Sequence, residues 1–159
     1  MRHLVTLLWP LALLLALACA QQSANVTIWK GSKKYHYYGC YNETTQISGS
    51  AETRALEGGI NEVKQGQMTV PLCLAYCSEG TTEYRYAGLE WSRECWCSQS
   101  ISGIAEKLDD AACNYACEGD NTTACGGSLK LSIYRISAAS GLSAPTLLIV
   151  SGVVLALVL

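Results

Sequence analysis

The chain has 159 residues and a formal net charge of −2, with 11 Lys and Arg against 13 Asp and Glu. No basic run is present, which argues against a nucleic-acid partner. Half of the residues are hydrophobic, but much of that fraction lies in two terminal segments, so the chain between them suffices for one domain.

The first segment predicts a secretory signal peptide over residues 1–20. Arg2 and His3 precede a long apolar run, and Ala18-Cys19-Ala20 supplies the small residues that signal peptidase requires. A membrane-spanning helix would need a longer apolar run. A lipoprotein with Cys19 as the lipidated residue is the other alternative, and eukaryotic glycosylation motifs disfavour it.

Three Asn-x-Thr motifs predict N-glycosylation at Asn25, Asn42 and Asn121. A glycan requires access, so we expect these positions in loops that face solvent. Asp120 and Asn121 are interpreted as a turn that carries a glycan.

The first predicted elements are a strand and a helix. Tyr35 to Tyr41 is rich in aromatic residues and predicts a strand, whereas Gly58 and Gly59 predict a mobile loop that runs to Gln67. Thr69 then predicts a helix N-cap, with Pro71 in the first turn and Gly80 at the end. The helix carries an apolar stripe with i, i+3, i+4, i+7 spacing, formed by Val70, Cys73, Leu74 and Cys77.

The second half of the chain predicts more strands. Tyr84 to Glu90 and Glu94 to Cys97 read as two strands, with Cys95 and Cys97 on one face and Glu94 and Trp96 on the other. Asp109 to Cys117 predicts a helical turn, and the alternation of Leu129, Leu131 and Ile133 predicts a half-buried strand. These elements predict an α+β fold: a small disulfide-rich domain with an antiparallel sheet and one or two short helices.

The cysteine count predicts four disulfides. Nine cysteines minus Cys19 leave an even number in a short secreted domain. Their pairing is open, and a zinc site, for which His36 would be the available histidine, is an alternative that the oxidising secretory pathway disfavours. The eight are Cys40, Cys73, Cys77, Cys95, Cys97, Cys113, Cys117 and Cys125.

The C-terminal segment predicts a lipid-attachment signal. Residues 147–159 are apolar and shorter than a hydrocarbon core requires, and a short linker of residues 136–146 with small residues precedes them. This pattern is typical of GPI attachment, and a retained membrane helix is the alternative. The candidate attachment residues are Ser137, Ala138, Ala139, Ser140 and Gly141.

Several motifs between residues 34 and 135 resemble the WSC domain family. They include Tyr38-Gly39-Cys40-Tyr41, the run from Met68 to Cys77, the run from Tyr86 to Cys97, and Cys125-Gly126-Gly127 with Leu131-Ser132-Ile133-Tyr134. The resemblance includes all eight cysteines in order. Family members often have Gly where this chain has Ser92 and Ser98, so the loops there can differ in shape.

The resemblance implies a fold similar to PAN/apple domains and a carbohydrate-binding role. Aromatic side chains stack on sugar rings, and carboxylates bind their hydroxyls. The chain has nine Tyr and no Phe, a bias toward rings with a polar group. We take as ligand-binding candidates Trp96, Trp91, Glu94, Tyr86, Tyr38 and Tyr84.

Core packing is the alternative for each of these rings, and Trp91, in the turn, is the one we most expect to be exposed. Catalysis is not expected, because the sequence lacks a Ser/His/Asp constellation. Glu90 and Glu94 are the one pair that suggests an acid and base for glycoside hydrolysis, and a domain this small offers little cleft.

The sequence therefore predicts a binding module without a cofactor or metal. Its expected partner is a cell-wall polysaccharide such as β-glucan, at the extracellular face of the plasma membrane or in the cell wall. A protein-interaction or adhesion module, with surface proteins as partners, is the alternative.

Overall fold

Eight strands and one α-helix form the regular structure of residues 25–137, the part of the chain that the computed structural model describes. Helix α1 spans Val70–Ser78, and a 3-10 turn spans Asp110–Ala112. The strands are β1 Tyr35–Asn42, β2 Ile60–Val63, β3 Tyr86–Glu90, β4 Glu94–Ser98, β5 Lys107–Leu108, β6 Ala116–Cys117, β7 Asp120–Ala124 and β8 Lys130–Ile136.

Six of the strands form one sheet in the order β2-β4-β3-β8-β1-β5, and every neighbouring pair is antiparallel. β6 and β7 form a separate two-stranded ribbon. β8, the last strand along the chain, lies near the centre of the sheet between β3 and β1. The prediction of an α+β domain with an antiparallel sheet is confirmed.

Helix α1 begins as the sequence predicts. The Thr69 hydroxyl accepts a hydrogen bond from the Leu72 amide at 3.2 Å, which satisfies one of the free amides of the first turn. The predicted stripe is buried, and it packs α1 against one face of the sheet. The C-cap residue is Glu79, one residue before the predicted Gly80.

Two disulfides join α1 to β4. Cys95 and Cys97 lie on the same face of β4 because side chains alternate along a strand. Cys73 pairs with Cys95 and Cys77 pairs with Cys97, so successive turns of the helix bond to alternate positions of the strand.

The other two disulfides join Cys40 to Cys113 and Cys117 to Cys125. The prediction of four disulfides is therefore confirmed. The sulfur atoms of Cys73, Cys77 and Cys95 lie within 4.8 Å of one another. Adjacent disulfides account for that cluster, and sulfurs bonded in this way are not the thiolates that zinc binds.

No helix of the described chain packs on the opposite face of the sheet, which we call the open face. This face has a smaller apolar cluster. Leu131 and Ile133 of β8 contribute to it, as predicted, and Leu56 covers them from the loop 43–57. Gly88 makes this approach possible, since a Cβ there would lie 2.6 Å from Leu56 Cδ1 and 3.0 Å from Leu131 Cδ2.

Two local predictions were wrong. Residues 58–67 are not simply a loop, because Ile60–Val63 form β2 and pair with β4. Residues 109–117 include only a 3-10 turn, and Ala116–Cys117 instead form β6. Both short strands have weak sequence patterns, and pairing with a partner strand decides their conformation.

The turn between β3 and β4 has a backbone that glycine favours. Trp91 and Ser92 have φ values of 52° and 66°, in the left-handed region. Ser92 stands where family members often have Gly, so the turn keeps a glycine-like conformation without the glycine. Ser98 takes part in a different contact, with its hydroxyl donating to the Glu57 carbonyl at 2.6 Å.

Within residues 25–137, no helix has the length and apolar character that crossing a bilayer requires.

The disulfides should contribute unequally to stability. Cys40–Cys113 and Cys117–Cys125 are equally buried but have sequence separations of 73 and 8. By loop entropy, replacing each pair with alanines should lower the free energy of unfolding by about 4.4 and about 2.5 kcal/mol respectively. Urea unfolding curves of the two double variants measure the difference, and a larger loss for the short loop would contradict this expectation.

Candidate functional site

Trp96 of β4 lies on the open face under an arginine. The Arg54 guanidinium carbon is 3.6 Å from the centre of the Trp96 ring, and Trp96 Nε1 donates to Glu94 Oε2 at 3.3 Å. A cation at this distance occupies one ring face. Trp96 is half-buried and packs against the apolar cluster of the open face. This environment favours a role in core packing over a role in sugar binding.

Arg54 also joins two buried carboxylates. Its Nη2 lies 2.6 Å from Glu90 Oε2 and 2.8 Å from Glu43 Oε2. Glu43 Oε1 accepts hydrogen bonds from the amides of Thr44 at 2.7 Å and Ala55 at 2.6 Å. This triad of Glu43, Arg54 and Glu90 ties both ends of the loop 43–57 to the sheet.

Glu90 is fully buried, and its protonation is unusual. Burial raises the pKa of the Glu90 carboxyl to about 8, and the nearby charge of Glu43 adds to the rise while Arg54 opposes it. Among the described residues, Glu90 Oε1 has no hydrogen-bond partner. The carboxyl therefore holds its proton in the folded domain at pH values where an exposed glutamate is ionised.

Glu90 should make the domain less stable as pH rises. The pKa of the Glu90 carboxyl is about 8 in the folded domain, against an ordinary value of 4.5. At a pH between these two values, unfolding releases a proton. The free energy of unfolding therefore falls as the pH increases. Glu90→Gln, which stays neutral, should weaken that fall. Urea unfolding at pH 5, 6, 7 and 8 (chosen to lie roughly within this window) measures it.

Glu79→Gln is the matched control, because Glu79 is an exposed carboxylate at the end of α1, which packs on the other face of the sheet. It should leave the pH dependence as in the parent. An identical pH dependence in the parent and in Glu90→Gln would show that Glu90 does not retain its proton.

A second cluster on the open face is made of tyrosines. The rings of Tyr38 and Tyr41 are stacked, with centroids 5.8 Å apart and planes 3° from parallel. Tyr86 lies 6.0 Å from Tyr38 in a tilted arrangement. Tyr38 and Tyr41 are half-buried, whereas Tyr86 is only 8% exposed and packs against Tyr38.

Three cations surround the tyrosines. Arg135 Cζ lies 4.6 Å from the Tyr38 ring centre, and Lys107 Nζ lies 6.0 Å from it. Arg85 Cζ lies 5.5 Å from the Tyr86 ring centre. Tyrosine faces attract cations through the negative potential above the ring. We call Tyr38, Tyr41, Arg85, Lys107 and Arg135 the tyrosine-cation patch.

A β-bulge makes the tyrosine pair possible. Tyr38 and Tyr41 are three residues apart, so a regular strand would place them on opposite faces. The register of β1 against β8 shifts between Tyr37 and Gly39, which returns both rings to the open face. Gly39 has a φ of 148°, and a Cβ there would lie 2.5 Å from Lys107 Cε.

Close packing changes the chemistry of Tyr41. Burial raises the pKa of its hydroxyl, and the neighbouring Tyr38 hydroxyl raises it further, whereas Arg135 opposes the rise. The shift keeps the Tyr41 hydroxyl protonated to higher pH than that of a free tyrosine, which is itself neutral at physiological pH.

The other predicted aromatic residues lie apart from this patch. Trp91 is half-buried in the β3–β4 turn, where its ring meets the exposed Tyr115 at 6.0 Å, edge to face. Tyr84 packs against the core on the helix face. The structure thus brings Tyr38 and Tyr86 together, places Glu94 beside Trp96, and separates Trp91 from both. Tyr84 makes no ring contact with the patch tyrosines in the described structure, although it lies beside Arg85 and Arg135.

Sequence reasoning missed Tyr41, Arg54 and Arg135. In a regular strand Tyr38 and Tyr41 would lie on opposite faces, and only the bulge brings them together. Neither arginine lies near its aromatic partner in sequence, so local patterns give no signal for these contacts. The run of tyrosines from residue 35 to 41 was the available signal for the patch.

The glycosylation motifs are not all in loops. Asn25 is exposed in the N-terminal segment, and Asn121 is exposed within β7. Asn42 ends β1, is half-buried and accepts a hydrogen bond from the Glu106 amide at 2.6 Å through its Oδ1. The predicted signal peptide and most of the predicted anchor region, residues 138–159, lie outside the described residues.

Four disulfides, two of which join the helix to the sheet, and a sheet face of aromatic and charged residues define a small disulfide-stabilised domain with a candidate binding surface. The model of the WSC domain matches residues 37–127, more than half of the chain, so the protein belongs to the WSC domain family. Proteins with this domain generally act at the cell surface or are secreted, where the domain serves as a carbohydrate-binding module.

Similar proteins carry the domain in varied contexts. A "Putative fungistatic metabolite" of Chaetomium globosum is 34% identical over 111 residues, which cover 69% of this chain and 45% of that protein. A "WSC domain-containing protein" of Arthroderma benhamiae is 32% identical over 101 residues, covering 64% of this chain and 12% of that one.

The "Xylosyltransferase oxt" of Drosophila pseudoobscura pseudoobscura is 33% identical over 97 residues, which cover 61% of this chain and 10% of that protein. In all three cases the match spans less than half of the relative's own length. The similarity is therefore to a domain within larger proteins.

Proposed function

We propose that this chain binds polysaccharide at the cell surface through the tyrosine-cation patch and catalyses no reaction. The observation that carries the proposal is the parallel stack of Tyr38 and Tyr41 on the open face. Family membership supplies the class of ligand.

Tyrosine rings suit a sugar ligand for two reasons. Their faces offer apolar contact to the C–H groups of a pyranose ring, worth about 0.5–1.5 kcal/mol per pair beyond buried area. Their hydroxyls, together with Arg135, offer polar contacts at the rim. Each contact is weak, so useful affinity requires several along a chain of sugars.

The carboxylates support binding without catalysis. Glu90 and Glu94 are cross-strand neighbours, as a paired acid and base would need to be, but Glu90 is fully buried beside Arg54. Its raised pKa resembles that of a catalytic acid, yet burial keeps a sugar oxygen out of hydrogen-bonding reach. A role in stability explains Glu90 better.

We also propose that residues 1–20 direct secretion and that the tail supplies a lipid anchor. The Ser137 amide donates to the Lys34 carbonyl at 2.8 Å, so this residue is still held by the fold. That contact favours attachment at one of residues 138–141 over attachment at Ser137. The module would then lie close to the membrane, facing the cell wall.

A protein-interaction module is the alternative, and the edge strand β2 favours it. Ile60 and Val63 are exposed by 39% and 54%, and one side of this strand is unpaired within the described sheet. An exposed strand edge can receive a strand from a partner protein. Such binding would survive digestion of glycans and would not depend on Tyr38.

The tyrosine patch should be required for binding. The full chain, produced in a disulfide-forming secretory host and kept in mild detergent, should sediment with insoluble β-1,3-glucan, chitin or xylan. Tyr38→Ala and Tyr41→Ala should each reduce the bound fraction by about tenfold, because the stacking surface is lost. Tyr38→Phe keeps the ring and should retain most of the binding.

Trp91→Ala and Trp96→Ala identify the competing sites, once circular dichroism shows that each variant is folded. Loss of binding with Trp91→Ala but not with Tyr38→Ala would move the site to the β3–β4 turn. If the folded parent sediments with none of the polysaccharides, the proposed ligand class is wrong and β2 becomes the surface to test.

The anchor proposal has a separate test. In cells that express the full chain, phosphatidylinositol-specific phospholipase C should release the protein into the medium, because the enzyme cleaves the lipid of a GPI anchor. A variant truncated after residue 141 should be secreted without treatment. Retention of the parent after treatment, with release of a control GPI protein, would favour a membrane helix instead.

A further inference from the structure

We propose that the preferred ligand is an acidic polysaccharide whose sugar carboxylates bind between Arg85 and Arg135. This inference rests on the proposed function and specifies the ligand class. It concerns a cavity of about 460 Å³ beside the tyrosines, lined by Glu83, Tyr84, Arg85, Gln99, Arg135 and Ile136.

The cavity lies where three strands end. Arg135 pairs with Tyr86 across β8 and β3, and Arg85 immediately precedes β3. Both arginines are exposed, and each also lies near a tyrosine ring of the patch. A ligand in the cavity would therefore contact both guanidinium groups and extend over Tyr38.

The cations of the patch form no ion pairs in the described structure, although they contact tyrosine rings. Among the described residues, ion pairs engage Lys34, Arg54, Lys64 and Arg93. Arg85, Lys107 and Arg135 form none, although the chain has more acidic than basic residues. Collecting unpaired cations in one place costs electrostatic free energy, which an anionic ligand would recover.

The Glu83 carboxylate in the cavity wall does not neutralise the two arginines, because it pairs with Lys34 at 2.9 Å. The Gln99 side chain is held by the Arg85 amide at 3.3 Å and the Glu83 carbonyl at 2.8 Å, so it forms part of the wall. The positive charge at the cavity therefore comes from the two arginines.

An acidic sugar matches both the arginines and the tyrosine rings of this surface. A guanidinium group binds a carboxylate through two parallel hydrogen bonds, which a neutral glucan cannot supply. The neighbouring rings of Tyr38 and Tyr41 provide the apolar contact that a pyranose requires. The cavity is open and shallow, so a polysaccharide chain can pass through it without entering a closed pocket.

The test compares two ligands with the same sugar chain, one with free carboxylates and one with neutral methyl esters. Isothermal titration calorimetry of the full chain in nonionic detergent compares an oligogalacturonate with the methyl ester of the same oligomer. The acid should bind at least about tenfold more tightly, because esterification removes the charge that the arginines contact. Raising the ionic strength about tenfold should weaken binding of the acid.

Arginine variants locate the effect. Arg85→Gln and Arg135→Gln should each lower affinity for the acid by about tenfold and leave affinity for the ester nearly unchanged. Lys33→Gln is the matched control, because Lys33 is an exposed cation that forms no ion pair in the described structure. It should bind the acid as the parent does.

The outcomes separate this inference from the proposed function. Equal binding of acid and ester, lost in Tyr38→Ala, would overturn the acidic preference and support the carbohydrate site. If Lys33→Gln and Arg135→Gln lowered the affinity for the acid equally, overall charge would account for the attraction, and the proposed site in the cavity would be wrong. Binding of neither oligomer nor of the insoluble polysaccharides, by a folded protein, would overturn both proposals.

Discussion

The disulfide pair between α1 and β4 is the constraint on which the rest of the domain depends. Cys73–Cys95 and Cys77–Cys97 hold the helix to one face of the sheet with covalent bonds, in a chain that buries few large apolar side chains. Small secreted domains commonly use disulfides in this way, because their cores alone supply little stability. With one face held by α1, the other has no helix packed on it within residues 25–137 and can carry polar and aromatic groups.

The open face is organised by charge more than by apolar burial. The triad of Glu43, Arg54 and Glu90 fixes the loop 43–57 over the sheet, and Arg54 also covers Trp96. Buried ion pairs contribute little net stability compared with apolar residues, but breaking one is costly. The triad therefore gives the loop one defined position, and that position leaves the tyrosines at the other side of the face uncovered.

The sequence predicted what depends on local periodicity. Alternation along β4 placed Cys95 and Cys97 on one face, and Thr69 marked the start of α1, because both rules act over a few residues. The pairing of the cysteines could not be predicted, since eight cysteines allow 105 connectivities. Likewise, the contact of Arg54 with the Trp96 ring could not be predicted, because the two residues are distant in the chain. The binding residues remain a prediction. The sequence proposed Tyr38 and Tyr86, which the fold brings together, but the bulge that adds Tyr41 depends on register with β8.

The position of β8 has a mechanical consequence. Arg135 lies two residues from Ser137, where the described chain ends, and it belongs to the tyrosine-cation patch. Tension between a bound ligand and the following segment would therefore pass through a few residues at the end of β8. Helix α1 and its two disulfides to β4 do not lie between Arg135 and Ser137 along the chain, so force applied between these two residues need not pass through them.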